Sequence, residues 1–214
     1  MKEKYGKGIL FVISAPSGAG KTTLSRRLIE ELPGLRFSVS YTTRPPRTNE
    51  REAEDYHFIP FDLFKKMIDG DEFLEWAEVL GNYYGTARIP LETLASDEVD
   101  LILDIDTQGA GKVKERVKQA VLIYLLPPSL KALEERLVKR GLDSPAQIRY
   151  RLAHAKEDMK EAAGFQYVIV NEKIEEALEI LKSIITAERC RRSKDEVLNK
   201  IQNEWEVKYG KSYC

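Results

Sequence analysis

Between the apolar run Gly8-Ile9-Leu10-Phe11-Val12-Ile13 and the segment Leu24-Ser25-Arg26-Arg27-Leu28-Ile29 lies Ser14-Ala15-Pro16-Ser17-Gly18-Ala19-Gly20-Lys21-Thr22-Thr23. The first run predicts a buried strand, and Leu24, Leu28 and Ile29 recur at helical spacing. A strand, a glycine-rich turn and a helix make the setting of a phosphate-binding loop. Small residues let the backbone curl so that successive N–H groups converge on an anion, and the helix start adds its positive dipole end. Ala15, Pro16, Ser17, Gly18, Ala19, Gly20, Lys21, Thr22 and Thr23 are therefore candidate contacts to a nucleoside triphosphate, with Lys21 reaching the β- and γ-phosphates and the Thr22 hydroxyl a candidate Mg²⁺ ligand. Ala15 stands where the usual pattern G-x-x-x-x-G-K-[ST] has its first glycine. Alanine keeps the site small, and it implies that the backbone there stays out of the φ > 0 region.

At 214 residues the chain suits one domain, or one core with small inserts. Its 34 basic and 35 acidic residues leave a formal charge of −1, which argues against a general binder of nucleic acid or anionic membrane. Phosphate binding must then be local. Cys190 and Cys214 form no metal or disulfide pattern, as in a reducing cytoplasm. The N-terminal apolar run is too short to span a bilayer and runs straight into the phosphate loop, so neither a signal peptide nor a membrane span is expected.

Leu32-Pro33-Gly34 stops the first helix, and Phe37 to Ser40 predicts a short strand. Tyr41-Thr42-Thr43-Arg44-Pro45-Pro46-Arg47 reads as an ordered loop, neither helix nor central strand, because adjacent prolines remove two donors. Short strands are expected over 55–60, 72–79 and after Asn82, with one helix from Phe61 to Gly70; together they predict a small inserted subdomain. A strand over Val99–Asp106, a helix from Gln108, a strand over Val121–Leu126 and a helix over Leu130–Arg140 resume an alternating rhythm. Ser144-Pro145 opens a long helix to about Ala163; a strand over Tyr167–Asn171 and a helix from Ile174 to about Cys190 follow. This order predicts an α/β fold with a doubly wound parallel sheet. In the tail, Val197, Leu198, Ile201 and Trp205 have helical spacing and predict an amphipathic helix that packs on the body or self-associates.

A second constellation narrows the chemistry. Arg44 and Arg47 on a proline-braced loop, with Tyr56 and Tyr84, supply planar donors and hydroxyls suited to a second phosphate group. Asp104 and Asp106 stand two apart at the carboxyl end of their strand, where an open α/β sheet binds ligands. If Phe73, Glu75, Ala77 and Val79 share one strand face, Glu75 is a carboxylate on an apolar side and needs partners, either a ligand or an arginine.

The chain resembles the guanylate kinases. The resemblance runs in order through Ser-Ala-Pro-Ser-Gly-Ala-Gly-Lys-Thr, Ser-Val-Ser-Tyr-Thr-Thr-Arg-Pro-Pro-Arg, Asp-Tyr-His-Phe, Glu-Phe-Leu-Glu-Trp-Ala, Gly-Asn-Tyr-Tyr-Gly-Thr, Ile-Leu-Asp-Ile-Asp-Thr-Gln-Gly and Val-Ile-Val-Asn, from Ser14 to Asn171. It implies a P-loop kinase core with a GMP-binding α+β insert and a helical lid, and the substrates GMP and ATP with Mg²⁺. It places Arg44, Arg47, Tyr56 and Tyr84 on the GMP phosphate and Ser40, Glu75, Thr86 and Asp106 around guanine. Asp104 would serve Mg²⁺ and the GMP side. Arg136, Arg140, Arg149 and Arg151 flank the lid turn, and the resemblance makes Arg140 and Arg151, with Lys21 and Arg44, the catalytic charges, and puts Arg136 and Asn171 on ATP. The implied division is a core of 1–40, 98–130 and 165–192, a GMP-binding subdomain 41–97, a lid 131–164 and a tail 193–214. A binding module that has lost catalysis would lack the phosphate loop, and a GTPase would carry Asn-Lys-x-Asp, which is absent. Guanine-side residues argue against a kinase for another phosphorylated sugar. Neither a nucleic-acid nor a membrane partner is expected, and the sequence leaves monomer or homo-oligomer open.

Overall fold

The computed structural model describes residues 8–48, 50–79, 81–88, 99–141 and 143–209. Nine strands are described: β1 (Leu10–Ser14), β2 (Leu35–Phe37), β3 (Tyr41–Thr42), β4 (His57–Phe58), β5 (Phe73–Val79), β6 (Asn82–Ala87), β7 (Asp100–Asp104), β8 (Val121–Leu126) and β9 (Tyr167–Val170). The helices are α1 (Lys21–Glu31), α2 (Phe61–Asp69), α3 (Thr107–Arg116), α4 (Leu130–Arg140), α5 (Pro145–Glu161) and α6 (Ile174–Tyr209). A parallel sheet in the order β2-β7-β1-β8-β9 forms the core.

Both faces of that sheet are covered, which is why its strands are apolar without alternation. Phe11, Ile13, Ile102, Ile123 and Leu125 pack with Leu24 and Leu28 of α1 and with Leu178, Leu181 and Ile185 of α6. On the other face Leu10, Val12, Leu103 and Leu122 meet Ala110 and Val113 of α3. The doubly wound α/β core expected from the sequence is thus present. Chain order runs from β1 out to β2, returns through β7 and crosses to β8, so the turn after β1 lies at the switch point of the sheet, where ligands bind.

A second sheet, β4-β3-β6-β5, pairs β3 and β4 in parallel and its other strands antiparallel. Phe64 and Met67 of α2 pack on it against Phe73. Here the sequence reading needs correction. Tyr41–Thr42 is an interior strand because the prolines remove donors only at 45 and 46, leaving Tyr41 and Thr42 able to pair on both sides. β2 begins at Leu35, two residues before the expected start, and ends at Phe37, three before the expected end, and β4 keeps only His57–Phe58 of the expected strand. β7 stops at Asp104; Asp106 lies beyond it as the N-cap of α3, its side chain accepting from Gly109 N at 2.7 Å. The two acids therefore do not share a strand face.

α4 and α5 pack on each other through Leu133, Leu137 and Ala155. Ser129 caps α4, and Ser144 with Gln147 forms a capping box that opens α5, as Ser144-Pro145 predicts. The tail differs from expectation. It is helical but continues α6 without a break, and Val197, Leu198 and Trp205 are exposed rather than packed on the body. Neither glycine nor proline occurs between Ile174 and Tyr209, so nothing local ends the helix. Among the described residues no helix is long and apolar enough to cross a membrane. The exposed Cys190 is a free thiol; Cys214 and the expected boundary at 97/98 lie outside the described residues.

Candidate active site

The turn after β1 is braced from behind. Gly18 and Gly20 have φ of 95° and 96°, a left-handed backbone that glycine adopts without cost, whereas Ala15 does not, in keeping with its side chain. Ala19 N donates to Pro16 O at 3.0 Å, and α1 starts directly after Gly20. Asn171, at the end of β9, is buried and donates its amide to Ala19 O at 2.7 Å. Arg136 of α4 sends Nη1 to Ala19 O at 3.4 Å and Nη2 to Asn171 O at 2.8 Å. Asn171 and Arg136, both expected on ATP, therefore hold the loop in this structure. A β-carbon at Gly20 would stand 2.5 Å from Asn171 Nδ2. Gly20→Ala is expected to cost roughly 2 kcal/mol of stability through strain and collision, and to weaken ATP binding. Thermal unfolding together with ATP titration checks both effects.

Parallel pairing of Ile13 with Asp104 brings the end of β7 beside this loop. Lys21 Nζ lies 2.6 Å from Asp104 Oδ1 and donates to Ile105 O at 2.8 Å, while Thr22 Oγ1 donates to Asp104 Oδ2 at 3.0 Å. Lysine, hydroxyl and carboxylate are thus assembled at the N-terminus of α1.

A second cationic cluster gathers on the loop after β3. Arg44 Nε donates to Tyr84 Oη at 3.2 Å, Nη1 to Pro45 O at 2.7 Å and Nη2 to Glu50 Oε1 at 2.9 Å. Its guanidinium also lies 5.6 Å from the centre of the Tyr56 ring. Burial, and then the charge of Asp104, push the Tyr56 phenol well up, so it remains a donor. Arg47 donates its backbone N–H to Glu50 Oε2 at 2.8 Å.

A group of buried polar side chains lies beside α3. Thr86 Oγ1 donates to Glu75 Oε1 at 2.7 Å, and Ser40 Oγ is 3.4 Å from the same threonine hydroxyl. Glu75 is 5% exposed, and burial, with Asp106 adding to it against the Thr86 hydrogen bond, raises its carboxyl to about 7. Glu75 and Phe73, expected on one strand face, are separated by a bulge that breaks the alternation. Phe73 instead joins Trp76 in the small sheet's core, while Glu75 Oε2 comes so near α3 that a β-carbon at Gly109 would be 2.8 Å away. Bulges next to active sites commonly re-aim a side chain in this way.

From α5, Arg151 Nη1 donates to Ser17 Oγ in the turn after β1, and its Nη2 pairs with Asp143 at 3.1 Å. Arg140 is exposed at the end of α4; partial desolvation, then the like charge of Arg47, depress its guanidinium. Arg149 is exposed.

A family model described as guanylate kinase matches residues 7–188. The chain belongs to the guanylate kinase family. A guanylate kinase of Geobacter metallireducens is 50% identical over 185 residues, covering 86% of this chain and 91% of its own length. That of Geobacter sulfurreducens is 51% identical over the same shares. Among solved structures, a guanylate kinase from Anaplasma phagocytophilum superposes with a TM-score of 0.74 at 32% identity, covering 96% of this chain and 97% of that one.

For a member of the guanylate kinase family, many of the residues singled out from sequence gather into three clusters. The structure brings Lys21, Thr22 and Asp104 together, Arg44 with Tyr56 and Tyr84, and Ser40 with Thr86 and Glu75. Asp106 is turned onto its own helix, and Arg149 joins no cluster described here. Glu50, Asp143 and Gly109 went unrecognised in the sequence. Glu50 stands in a run dense in both charge signs, where nothing local marks it.

Proposed function

We propose that the chain transfers the γ-phosphoryl group of ATP to GMP, giving ADP and GDP, with the pocket of Ser40, Thr86 and Glu75 holding guanine. The carrying observation is that buried carboxylate, bonded to a threonine hydroxyl and set beside Asp106, two residues on from the acid that pairs with Lys21. Guanine offers two adjacent donors, N1–H and the 2-amino group, which one carboxylate accepts together. Adenine sets a lone pair at N1 and lacks the amine. Arg44, Arg47, Tyr56 and Tyr84 would bind the GMP phosphate, Asp106 would take a further edge of the nucleoside, and residues 15–23 would wrap the ATP phosphates.

An oxygen of the GMP phosphate attacks the γ-phosphorus as its bond to the β–γ bridging oxygen breaks; ADP leaves, and no covalent enzyme intermediate forms. Lys21, Arg44, Arg140 and Arg151 offset the charge gathering on the transferring group, so catalysis is chiefly positioning and electrostatics. Thr22 and Asp104 present a hydroxyl and a carboxylate oxygen 3.0 Å apart, a hard donor pair that suits Mg²⁺. Among the described residues no group of three or more His, Cys, Asp or Glu could hold a metal, so the ion would depend on phosphate oxygens and water as well, as Mg²⁺ usually does. When bound it would neutralise phosphate charge. Residues 41–97 would form the GMP-binding unit and 131–164 a lid over ATP, excluding water that would otherwise consume it. Asn171 and Arg136 would serve ATP indirectly, through the loop they brace.

If Arg140 and Arg151 act on the transferring group, alanine at either should lower kcat about 10²-fold while the KM for GMP changes little. Steady-state kinetics with GMP varied at saturating MgATP reads the split; a change confined to the KM for GMP would remove them from that role. The proposal as a whole is tested by a coupled assay of ADP production against GMP, AMP, CMP, UMP and IMP. GMP should be strongly preferred, and equal turnover of AMP would overturn the reading.

A further inference from the structure

Resting on the assignment of Arg44 and Arg47 to the GMP phosphate, we infer that Glu50 is the positioning residue of that phosphate site, a fixed carboxylate that aims both arginines. Its two oxygens have separate partners. Oε2 accepts from Arg47 N at 2.8 Å, and Oε1 accepts from Arg44 Nη2 at 2.9 Å, with Arg47 Nη1 3.8 Å away.

Glu50 could instead be a stand-in for the substrate, an anion that fills the arginines until GMP arrives and then leaves. The local backbone argues against this. Glu50 N donates to Arg47 O at 3.0 Å while Arg47 N donates to the Glu50 side chain, so the turn from Arg47 to Glu50 is closed from both ends. Swinging the carboxylate away would open that turn and strand a backbone donor.

The donor inventory of Arg44 points the same way. Its Nε is taken by Tyr84, one N–H of Nη1 by Pro45 O and one N–H of Nη2 by Glu50. Three contacts fix the plane of the guanidinium, and one N–H on each terminal nitrogen remains for a phosphate. Without Glu50 a flexible arginine would have to be ordered by the substrate itself, a cost that appears as lost affinity. Charge is suited as well. Two arginines and one carboxylate leave the cluster cationic without bringing two like charges together unrelieved. Burial pushes the Glu50 carboxyl up, but the bonds from Arg44 and the Arg47 backbone outweigh it and hold the group below its ordinary value, so it is an anion at neutral pH.

Because the residue acts through the arginines, its effect should depend on the ligand having a phosphate. Glu50→Gln keeps an acceptor for Arg47 N but removes the charge facing Arg44; Glu50→Ala removes both. The KM for GMP is expected to rise about 10-fold in the first variant and about 10²-fold in the second, with kcat falling by a smaller factor through Arg44 and the KM for ATP unchanged. Binding of guanosine, which lacks the phosphate, is measured by calorimetry in parallel and should be the same in all three proteins. A fall in the KM for GMP would mean that Glu50 competes with the phosphate, and equal losses for GMP and guanosine would mean a general loosening of the fold; either result, or no change, overturns the inference. Wild-type turnover of GMP is the control: its absence would refute the proposed function, whereas the comparison of GMP with guanosine binding would still read Glu50.

Discussion

Lys21→Ala is expected to leave a folded protein whose kcat has fallen about 10³-fold or more. Lys21 is partly exposed at the mouth of the loop and contributes nothing to the apolar core, so the melting temperature should change little. What is lost is the ammonium that here lies 2.6 Å from Asp104 and would follow the phosphoryl group in transfer. Removing it also strands the Asp104 charge beside the incoming triphosphate, which adds repulsion to the missing attraction. Single-turnover measurements at saturating MgATP and GMP separate this from weak binding. Near-normal turnover would sink the assignment of the loop.

Glu75→Gln should lower kcat/KM for GMP about 10³-fold, or ~4 kcal/mol, because the amide sets a donor against one of guanine's donors and removes the charge that accepts the other. The variant should fold as stably as the parent, since glutamine can still accept from Thr86 and carries no buried charge. If GMP activity survived while stability fell, Glu75 would be structural.

A pH dependence follows from the same residue. With its carboxyl raised to about 7 by burial, Glu75 is half protonated near neutrality in the empty protein. Guanine's donors need the ionised form, so GMP binding releases a proton at lower pH, and kcat/KM for GMP should fall toward 10-fold per pH unit below about 7. Stability runs in the corresponding sense. The folded group holds its proton more tightly than the unfolded one, so its contribution is fully present below 4.5 and is lost as pH rises through about 7. GMP should relieve that loss, visible as a larger thermal shift at pH 8 than at pH 6.

The phosphate loop was legible because its chemistry is local: Gly18, Gly20, Lys21 and Thr22 are neighbours in sequence, and their backbone needs are written in their residue types. The alternation of strands and helices was legible for a similar reason, since burial on both faces leaves continuous apolar runs such as Val121–Leu126. What escaped was decided between distant segments. The direction of Glu75 depends on how β5 pairs with β6, and the bulge after Phe73 is a property of that pairing. Asn171 and Arg136 meet Ala19 across most of the chain, so no spacing rule could assign them to the loop. The uninterrupted α6 is a different case. Its lack of glycine and proline was visible, and no residue near Cys190 supports the stop expected there.

The bracing of Ala19 by Asn171 and Arg136 bears on how binding energy is distributed. A loop already held in its curled form forfeits little conformational entropy when a triphosphate arrives, so its association should show a small unfavourable entropy and a fast on-rate, limited by encounter rather than by rearrangement. The attraction of the triphosphate is then free to act elsewhere. Under the proposed function it would draw the arginines of α4 and α5 onto the nucleotide, so that what the rigid loop saves would go into closing the site.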